Sequence, residues 1–437
     1  MISEESLLIV KATAPLVKEN AVAITSTFYP KLLGRYPELY NYFNETNQKT
    51  GSQANAMAGL LSGQCPGFSL SKSNKTKGPS QAKTLADAIV AYAVNIDNLE
   101  NLSGLVSRMC HKHAALGIKP EHYQLVHDNL MEAIGEVLGG AVTPEVSAAW
   151  SEAVMALAEI CIKTEADLYE QAAKVQWKGT REFIVSQVIH ESKGIVSIRF
   201  KPSDGNGTCP FSPGQYITVF EKPKDKTYFA PRHYTVTSQP GDDFYQITVK
   251  QIENENGQKG VMSHYLHSKK VGDTLMLGPI FGPCPLKEFA SKSHAAVFIS
   301  TGVGITATIA VLSEAKTLYK HVVVFHADKS PETMAFRSIL ESQVGGDDSH
   351  TFSLDLSFSD ESDPFVPYQS NGKLDAEKII GKLETLGVSF QTDTDFYVCA
   401  GPSTTPLVYK GLVKRGVDPD HLRTQYFGPF ATVEMDD

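Results

Sequence analysis

The chain is short of several things, and each shortage excludes a class. Its six cysteines stand apart, at positions 65, 110, 161, 209, 284 and 399, with no Cys-X-X-Cys pair among them. That scatter excludes a plant-type iron–sulfur site and fits a reducing compartment better than a disulfide framework. No run of roughly 18 apolar residues is present to cross a bilayer. The N-terminus also lacks a basic region followed by an apolar stretch. A cytoplasmic protein with no obligatory membrane partner is expected. Basic residues are outnumbered, 40 against 49 acidic, for a net charge of −9. Such a balance argues against a surface that tracks nucleic-acid phosphates.

What is present divides into three. A length of 437 residues is too great for one core and suggests about three domains. Residues 1–173 carry helical periodicity, seen in the stripe Val22, Thr25, Phe28, Tyr29, Leu32 and in Leu99, Leu102, Val106, Met109, His113, Leu116. An all-α domain is predicted there, interrupted near 53–80 by an insertion. Within it, Ser62–Pro79 is rich in Gly, Ser, Lys and Asn and has no apolar period.

From Trp177 the pattern turns to short β-rich runs, Phe183–Ile189, Ile195–Phe200, Gln215–Phe220, His233–Thr237 and Phe244–Lys250. Turn-rich segments separate them, so an antiparallel β-barrel is predicted over 177–290. Over 294–437, the apolar strands Ala295–Ser300, His321–His326, Phe352–Phe358 and Phe396–Ala400 alternate with helical segments. That alternation predicts an α/β domain built on a parallel sheet.

Three motifs carry the chemistry of the second half. Ser300-Thr-Gly302-Val303-Gly304-Ile305-Thr306-Ala307 lies between an apolar strand and a helical pattern. This arrangement lets backbone amides approach a pyrophosphate. Upstream stands Arg232-His233-Tyr234-Thr235, and near the end Tyr426-Phe427-Gly428-Pro429. Together the three resemble the ferredoxin-reductase-like module that binds a flavin and a nicotinamide. The helical segment before it reads as a globin. A globin joined to such a reductase resembles the flavohaemoglobin family, and the resemblance covers essentially the whole chain apart from about residues 62–80.

The globin chemistry rests on a few polar residues set in apolar stripes. A lone histidine on an apolar face is usually a core residue. The stretch around His113, from Lys112 to Tyr123, nevertheless closely resembles the family's haem-ligating segment. His111, His122 and His127 point at other angles. Tyr123 shares a face with Val126, Leu130 and Ile134, and Glu165 falls between Cys161 and Leu168. A buried carboxylate is costly unless hydrogen-bonded; spacing alone leaves a surface position for Glu165 equally open. The resemblance implies that His113 holds the iron of haem b, that Glu165 and Tyr123 bond its imidazole, and that Lys112 lies near the haem edge. It also implies that Tyr29 donates a hydroxyl on the distal side and that Phe43 lines the pocket. For the distal glutamine and its apolar partner the chain offers two pairs, Gln81/Leu85 and Gln53/Met57. Gln81/Leu85 is preferred, because it opens an unbroken helix leading to His113, whereas Gly63 and Pro66 break the one after Met57.

In the reductase, the resemblance implies that Arg232 pairs with an FAD phosphate, Tyr234 packs on the isoalloxazine and Thr235 bonds near its N5. Pro213-Gly-Gln-Tyr216 precedes them at family spacing, and Gly260-Val-Met262-Ser263 follows, opening a short helix. Gly302 to Thr306 match the nucleotide turn, with Ala307 in place of the usual proline. Cys399-Ala-Gly-Pro402 carries one extra alanine. Phe427 matches the aromatic that stacks on the flavin, and Gln425 stands where the family often has Glu.

A hydride carries two electrons and haem iron accepts one, so a flavin between them explains why both modules share a chain. The resemblance implies a nitric oxide dioxygenase that takes electrons from NADH or NADPH, with NO and O₂ as its small-molecule substrates. A monomer is expected. Two other classes stand beside it: a haem-based sensor or store of O₂ or NO, and a general flavin reductase of ferric, quinone or hydroperoxide acceptors.

Overall fold

A computed structural model describes residues 2–42, 103–224, 226–253, 257, 259–287, 294–344, 351–360, 366–391, 393–401, 403–425 and 427. Phe43, Gln53, Met57, Gln81, Leu85, Pro402, Tyr426, Gly428 and Pro429 lie outside these residues. Two compact units are formed, one from residues up to Thr180 together with Phe220–Pro231, the other from Arg181–Val219 with Arg232–Phe427.

The first unit is helical. Its described α-helices are α1 (Glu4–Glu19), α2 (Ala21–Arg35), α3 (Ser103–Leu116), α4 (Pro120–Leu138) and α5 (Pro144–Val175). Local chemistry sets their ends. Ser3 caps α1 by accepting the Ser6 N–H, and Thr143 caps α5 in the same way from Val146, just ahead of Pro144. The corner between α3 and α4 is a Schellman turn. Gly117 sits at φ +76°, its N–H donates to the Ala114 carbonyl, and the Ile118 N–H donates to the carbonyl of His113. Only glycine enters that left-handed region without a Cβ penalty.

One apolar cluster unites the helices. It includes Phe28, Tyr29 and Leu32 of α2, Met109 and Cys110 of α3, Leu130 and Ile134 of α4, and Trp150 and Cys161 of α5. The buried Trp150 indole N–H donates to Thr13 of α1 at 2.9 Å, so the largest core side chain leaves no polar atom stranded. The segment Phe220–Pro231 packs with this unit: Tyr228 stacks on Tyr40 with ring centroids 5.1 Å apart.

The second unit holds two six-stranded sheets. The first comprises β1 (Arg181–Ser192), β2 (Ile195–Pro202), β3 (Tyr216–Val219), β4 (Arg232–Thr235), β5 (Tyr245–Lys250) and β6 (Thr274–Leu277). They run antiparallel in the order β4-β3-β6-β1-β2-β5. A bridge between Val236 and Ile247, beyond the end of β4, brings the chain back to β5. A short helix, α6 (Val261–His267), follows β5. The second sheet comprises β7 (Ala295–Thr301), β8 (His321–Asp328), β9 (Thr351–Phe358), β10 (Gln369–Asn371), β11 (Thr394–Cys399) and β12 (Leu422–Gln425). All its pairings are parallel, in the order β10-β9-β8-β7-β11-β12. Its strands read as continuous buried runs because both faces are covered, among others by α7 (Ile305–Leu318) and α8 (Ala376–Thr385). Nine of these strands fall on the predicted runs, to within about three residues at each end; the short strands β6, β10 and β12 were not predicted.

Candidate functional site

The helical unit gathers three of the residues singled out in the sequence. His113 occupies the last turn of α3, Tyr123 the first turn of α4, and Glu165 the middle of α5. His113 Nδ1 lies 2.9 Å from Glu165 Oε1 and 2.9 Å from the Tyr123 hydroxyl, which itself donates to Glu165 Oε1 at 2.5 Å. One carboxylate oxygen therefore accepts from both, which places the imidazole proton on Nδ1 and the free lone pair on Nε2. Nε2 has no hydrogen-bond partner among the described residues. Glu165 is 2% exposed, and such burial is tolerable only because the oxygen is doubly bonded. Burial, then Cys161 and Glu165 nearby, raises the Tyr123 hydroxyl above its ordinary range, so it stays a donor.

The corner that holds this triad is itself pinned. Tyr169 of α5 donates its hydroxyl to the Ile118 carbonyl at 2.6 Å. Lys112 is half-buried, and burial followed by the charge of Arg108 lowers it to about 8. The other histidines are engaged elsewhere. His122 Nδ1 accepts the Lys119 N–H, and His127 contacts Ser151 and Asp128. Tyr29 is buried on α2 against Phe28, and burial raises its hydroxyl above the usual range.

In the antiparallel sheet, β3 and β4 pair Tyr216 with Thr235, Thr218 with His233 and Val219 with Arg232. Directly opposed residues share a face. Tyr216 and Thr235 thus end side by side, and both buried hydroxyls lack a hydrogen-bond partner among the described residues. His233 is taken by Thr218, at 2.7 Å. Arg232 and Tyr234 project to the opposite face from His233 and Thr235. Burial lowers the Arg232 guanidinium from its usual range, which favours an anionic companion. At Gly260, Ser263 Oγ donates back to the Gly260 carbonyl and accepts the Ile252 N–H, while Met262 is buried. The Ser263 hydroxyl thus braces the turn.

In the parallel sheet the strand order reverses between β7 and β11. This is the switch point at which α/β sheets open a crevice for ligands. Gly302, Val303 and Gly304 lie there, in the turn that leads from β7 into Ile305 of α7. A Cβ on Gly304 would stand 2.0 Å from the Cys399 carbonyl oxygen at the end of β11, so only glycine fits. Thr306 donates to the Val303 carbonyl and Ala307 is buried. Gln425 is bonded by the Tyr397 hydroxyl, and Phe427 is 42% exposed.

Two features escaped the sequence. Lys250, at the end of β5, holds its ammonium 3.5 Å from where a Cβ on Gly302 would stand. Its position 52 residues before Gly302 gives no local signal; the end of β5, in one sheet, packs against the turn after β7, in the other. The Cys110 thiol likewise meets the Cys161 carbonyl at 3.9 Å, although the two are scattered in sequence.

A carboxylate-braced histidine in a helical unit, followed by an antiparallel sheet with orphaned hydroxyls and a parallel sheet with a glycine turn at its switch point, is the make-up of a haem- and flavin-dependent oxidoreductase. Residues 68–161 match the globin family and residues 182–284 match the oxidoreductase FAD-binding domain family. The chain is 32% identical to the flavohemoprotein of Bacillus subtilis, with 98% of each covered. It is 31% identical to flavohemoprotein A of Dictyostelium discoideum, over 99% of this chain and 100% of that one. The crystal structure of a flavohemoglobin from Malassezia yamatoensis, described with bound FAD and haem, shares its fold at a TM-score of 0.78 and 22% identity. It matches 98% of this chain and all of that one. The chain belongs to the flavohemoprotein family. Among the described residues no helix is long and apolar enough to cross a membrane.

Proposed function

We propose that the chain is a nitric oxide dioxygenase that uses NADH or NADPH to convert NO and O₂ to nitrate. The observation that carries this is the His113–Tyr123–Glu165 triad. Bound to their sites, haem b supplies the iron at which NO and O₂ combine, and FAD divides a hydride into the single electrons that iron accepts.

His113 presents Nε2 to the iron. Glu165, accepting the Nδ1 proton, makes that imidazole a stronger electron donor, and Tyr123 holds the carboxylate in line. An imidazole made more electron-donating in this way suits activation of bound oxygen, which favours the dioxygenase over the sensor. Tyr29 keeps its proton and serves as a donor on the distal side. For the distal pair Gln81/Leu85 is preferred over Gln53/Met57, because its apolar period runs on without a Gly or Pro break to the start of α3, which carries His113. By the family resemblance we assign Phe43 and Lys112 to haem binding as well.

We assign haem binding to residues 1–173, FAD to 177–290 and the nicotinamide nucleotide to 294–437. The Tyr216 and Thr235 hydroxyls find their partners on the flavin, with Arg232 on its phosphate, Tyr234 on its ring and the Gly260–Ser263 turn beside the pyrophosphate. Gly302–Ala307 receive the nicotinamide nucleotide, with Lys250 as counter-charge. By the same resemblance we assign Gln425–Pro429 to cofactor binding, with Phe427 as the aromatic that stacks on the flavin and moves aside for hydride delivery.

The test follows NO with an electrode alongside the haem spectrum, in air, with NADH and FAD-replete protein. NO loss that requires both O₂ and NADH and yields nitrate supports the activity. NO that binds and stays, while NADH is oxidised only through added dyes, overturns it.

A further inference from the structure

We propose that Cys110 is a positioning residue for the His113–Glu165 contact, acting through the carbonyl of Cys161. The proposal rests on the assignment of His113 as the haem ligand. Cys110 stands three residues before His113 on α3, and Cys161 four before Glu165 on α5, so each lies one turn back on the same helix face. Both thiols are fully buried. The Cys110 S–H donates to the Cys161 carbonyl oxygen at 3.9 Å. In α5 that oxygen is also the acceptor for the Glu165 backbone N–H, four residues on. A single carbonyl therefore joins the Glu165 backbone to α3. The two helices are tied at successive rungs, first Cys110 to Cys161, then His113 to Glu165 at 2.9 Å. The Cys161 thiol, in turn, lies against Cys110 and Tyr123. The contacts thus run unbroken from the thiol pair through Tyr123 to the carboxylate behind the imidazole. Removing the first rung frees α5 to shift, and a small shift is enough to lengthen a 2.9 Å hydrogen bond.

The experiment uses the haem-loaded full chain in its ferrous state. The iron–histidine stretch is recorded by resonance Raman spectroscopy and the haem midpoint potential by titration. Cys110→Ala should move the stretch to lower wavenumber and raise the potential, because the imidazole loses part of its carboxylate contact. Cys110→Ser, which keeps a donor, should return both toward the wild-type values. Cys110→Val fills the site without a donor and carries the same expectation as alanine, should the alanine variant fold poorly. A stretch and potential unchanged in the alanine and valine variants overturn the proposal. So does a serine variant displaced as far as alanine. If His113→Ala retains the wild-type iron–histidine stretch, the ligand assignment itself fails, an outcome distinct from either.

Discussion

Glu165 Oε1 lies 2.9 Å from Nδ1 of His113, a residue 52 positions earlier in the chain. The carboxylate has given up water to be there, and the two bonds it accepts are what offset that loss. Glu165→Gln keeps the shape and removes the charge. The imidazole then loses its strongest acceptor, so the haem midpoint potential should rise and NO turnover should fall by about ten- to hundred-fold, the usual cost of losing such a support. Potentiometry and the NO electrode measure the two effects. An unchanged potential would mean the carboxylate is structural only.

Gly117 ends the helix that presents His113, at φ +76°. An alanine there must adopt a left-handed conformation that costs about 1–2 kcal/mol. Gly117→Ala should lower the stability of the helical unit by that order, and Gly117→Asn by less, since asparagine visits this region more readily. Thermal unfolding followed at the haem absorbance reads the ranking. Equal stability of all three would show that the turn does not depend on glycine.

Part of this arrangement was legible in the sequence, and the reason differs from residue to residue. Nine strands were readable because β-branched and aromatic runs end at turn residues; β1 only extends the predicted Phe183–Ile189 to Arg181–Ser192, whereas β6, β10 and β12, three or four residues each, are too short to show a period. His113, Tyr123 and Glu165 stood out as polar groups interrupting apolar stripes, a pattern that one helix shows on its own. Their meeting at one oxygen is tertiary and came from the fold. Cys110 and Lys250 gave no signal at all. A cysteine is at home in any core stripe, and a lysine at a strand end looks like an ordinary solvated charge. Only the pairing of distant elements reveals what each one faces.

Glu132 supplies a prediction in pH. Hydrogen bonds from Arg35, then Lys31, hold it down to about 2, against an ordinary 4.5. A folded-state value below the unfolded one stabilises the fold fully above pH 4.5, and that contribution disappears as pH falls through about 2. The pairs are solvent-exposed, so the effect is modest. Glu132→Gln should be less stable than wild type at neutral pH and should lose less on acidification across this window. Denaturant unfolding at neutral and acidic pH tests it; parallel curves for the two proteins would remove the ion pair from the account.

Thr235 and Tyr216 allow stability and binding to be set against each other. Their hydroxyls are buried without partners among the described residues, and a stranded polar atom costs about 1–3 kcal/mol. Removing it should therefore not harm the flavin-free protein. Thr235→Val and Tyr216→Phe are expected to match or exceed wild type in stability without FAD. If the hydroxyls bond the flavin, the same variants should bind FAD more weakly by up to about tenfold each, the equivalent of one ordinary hydrogen bond. Calorimetry of the apoprotein and fluorescence titration with FAD give the two readouts. Unchanged FAD affinity alongside raised stability would move the flavin away from this strand pair.

At the nucleotide crevice the prediction separates two cofactor sites within one unit. A methyl group on Gly304 would collide with the Cys399 carbonyl at 2.0 Å, and backbone cannot step aside as a flexible side chain can. Gly304→Ala should therefore part the β7 turn from the end of β11 and slow flavin reduction by NADH, while FAD binding is retained. Lys250→Ala is milder. It leaves the turn intact and removes only the ammonium beside it, so KM for the nicotinamide nucleotide should rise with kcat little changed, as expected when an interaction common to ground and transition states is lost. Stopped-flow reduction of the flavin distinguishes them: the glycine variant slow even at saturating NADH, the lysine variant restored by it. If both variants lose FAD instead, the crevice between β7 and β11 is not a separate nucleotide site.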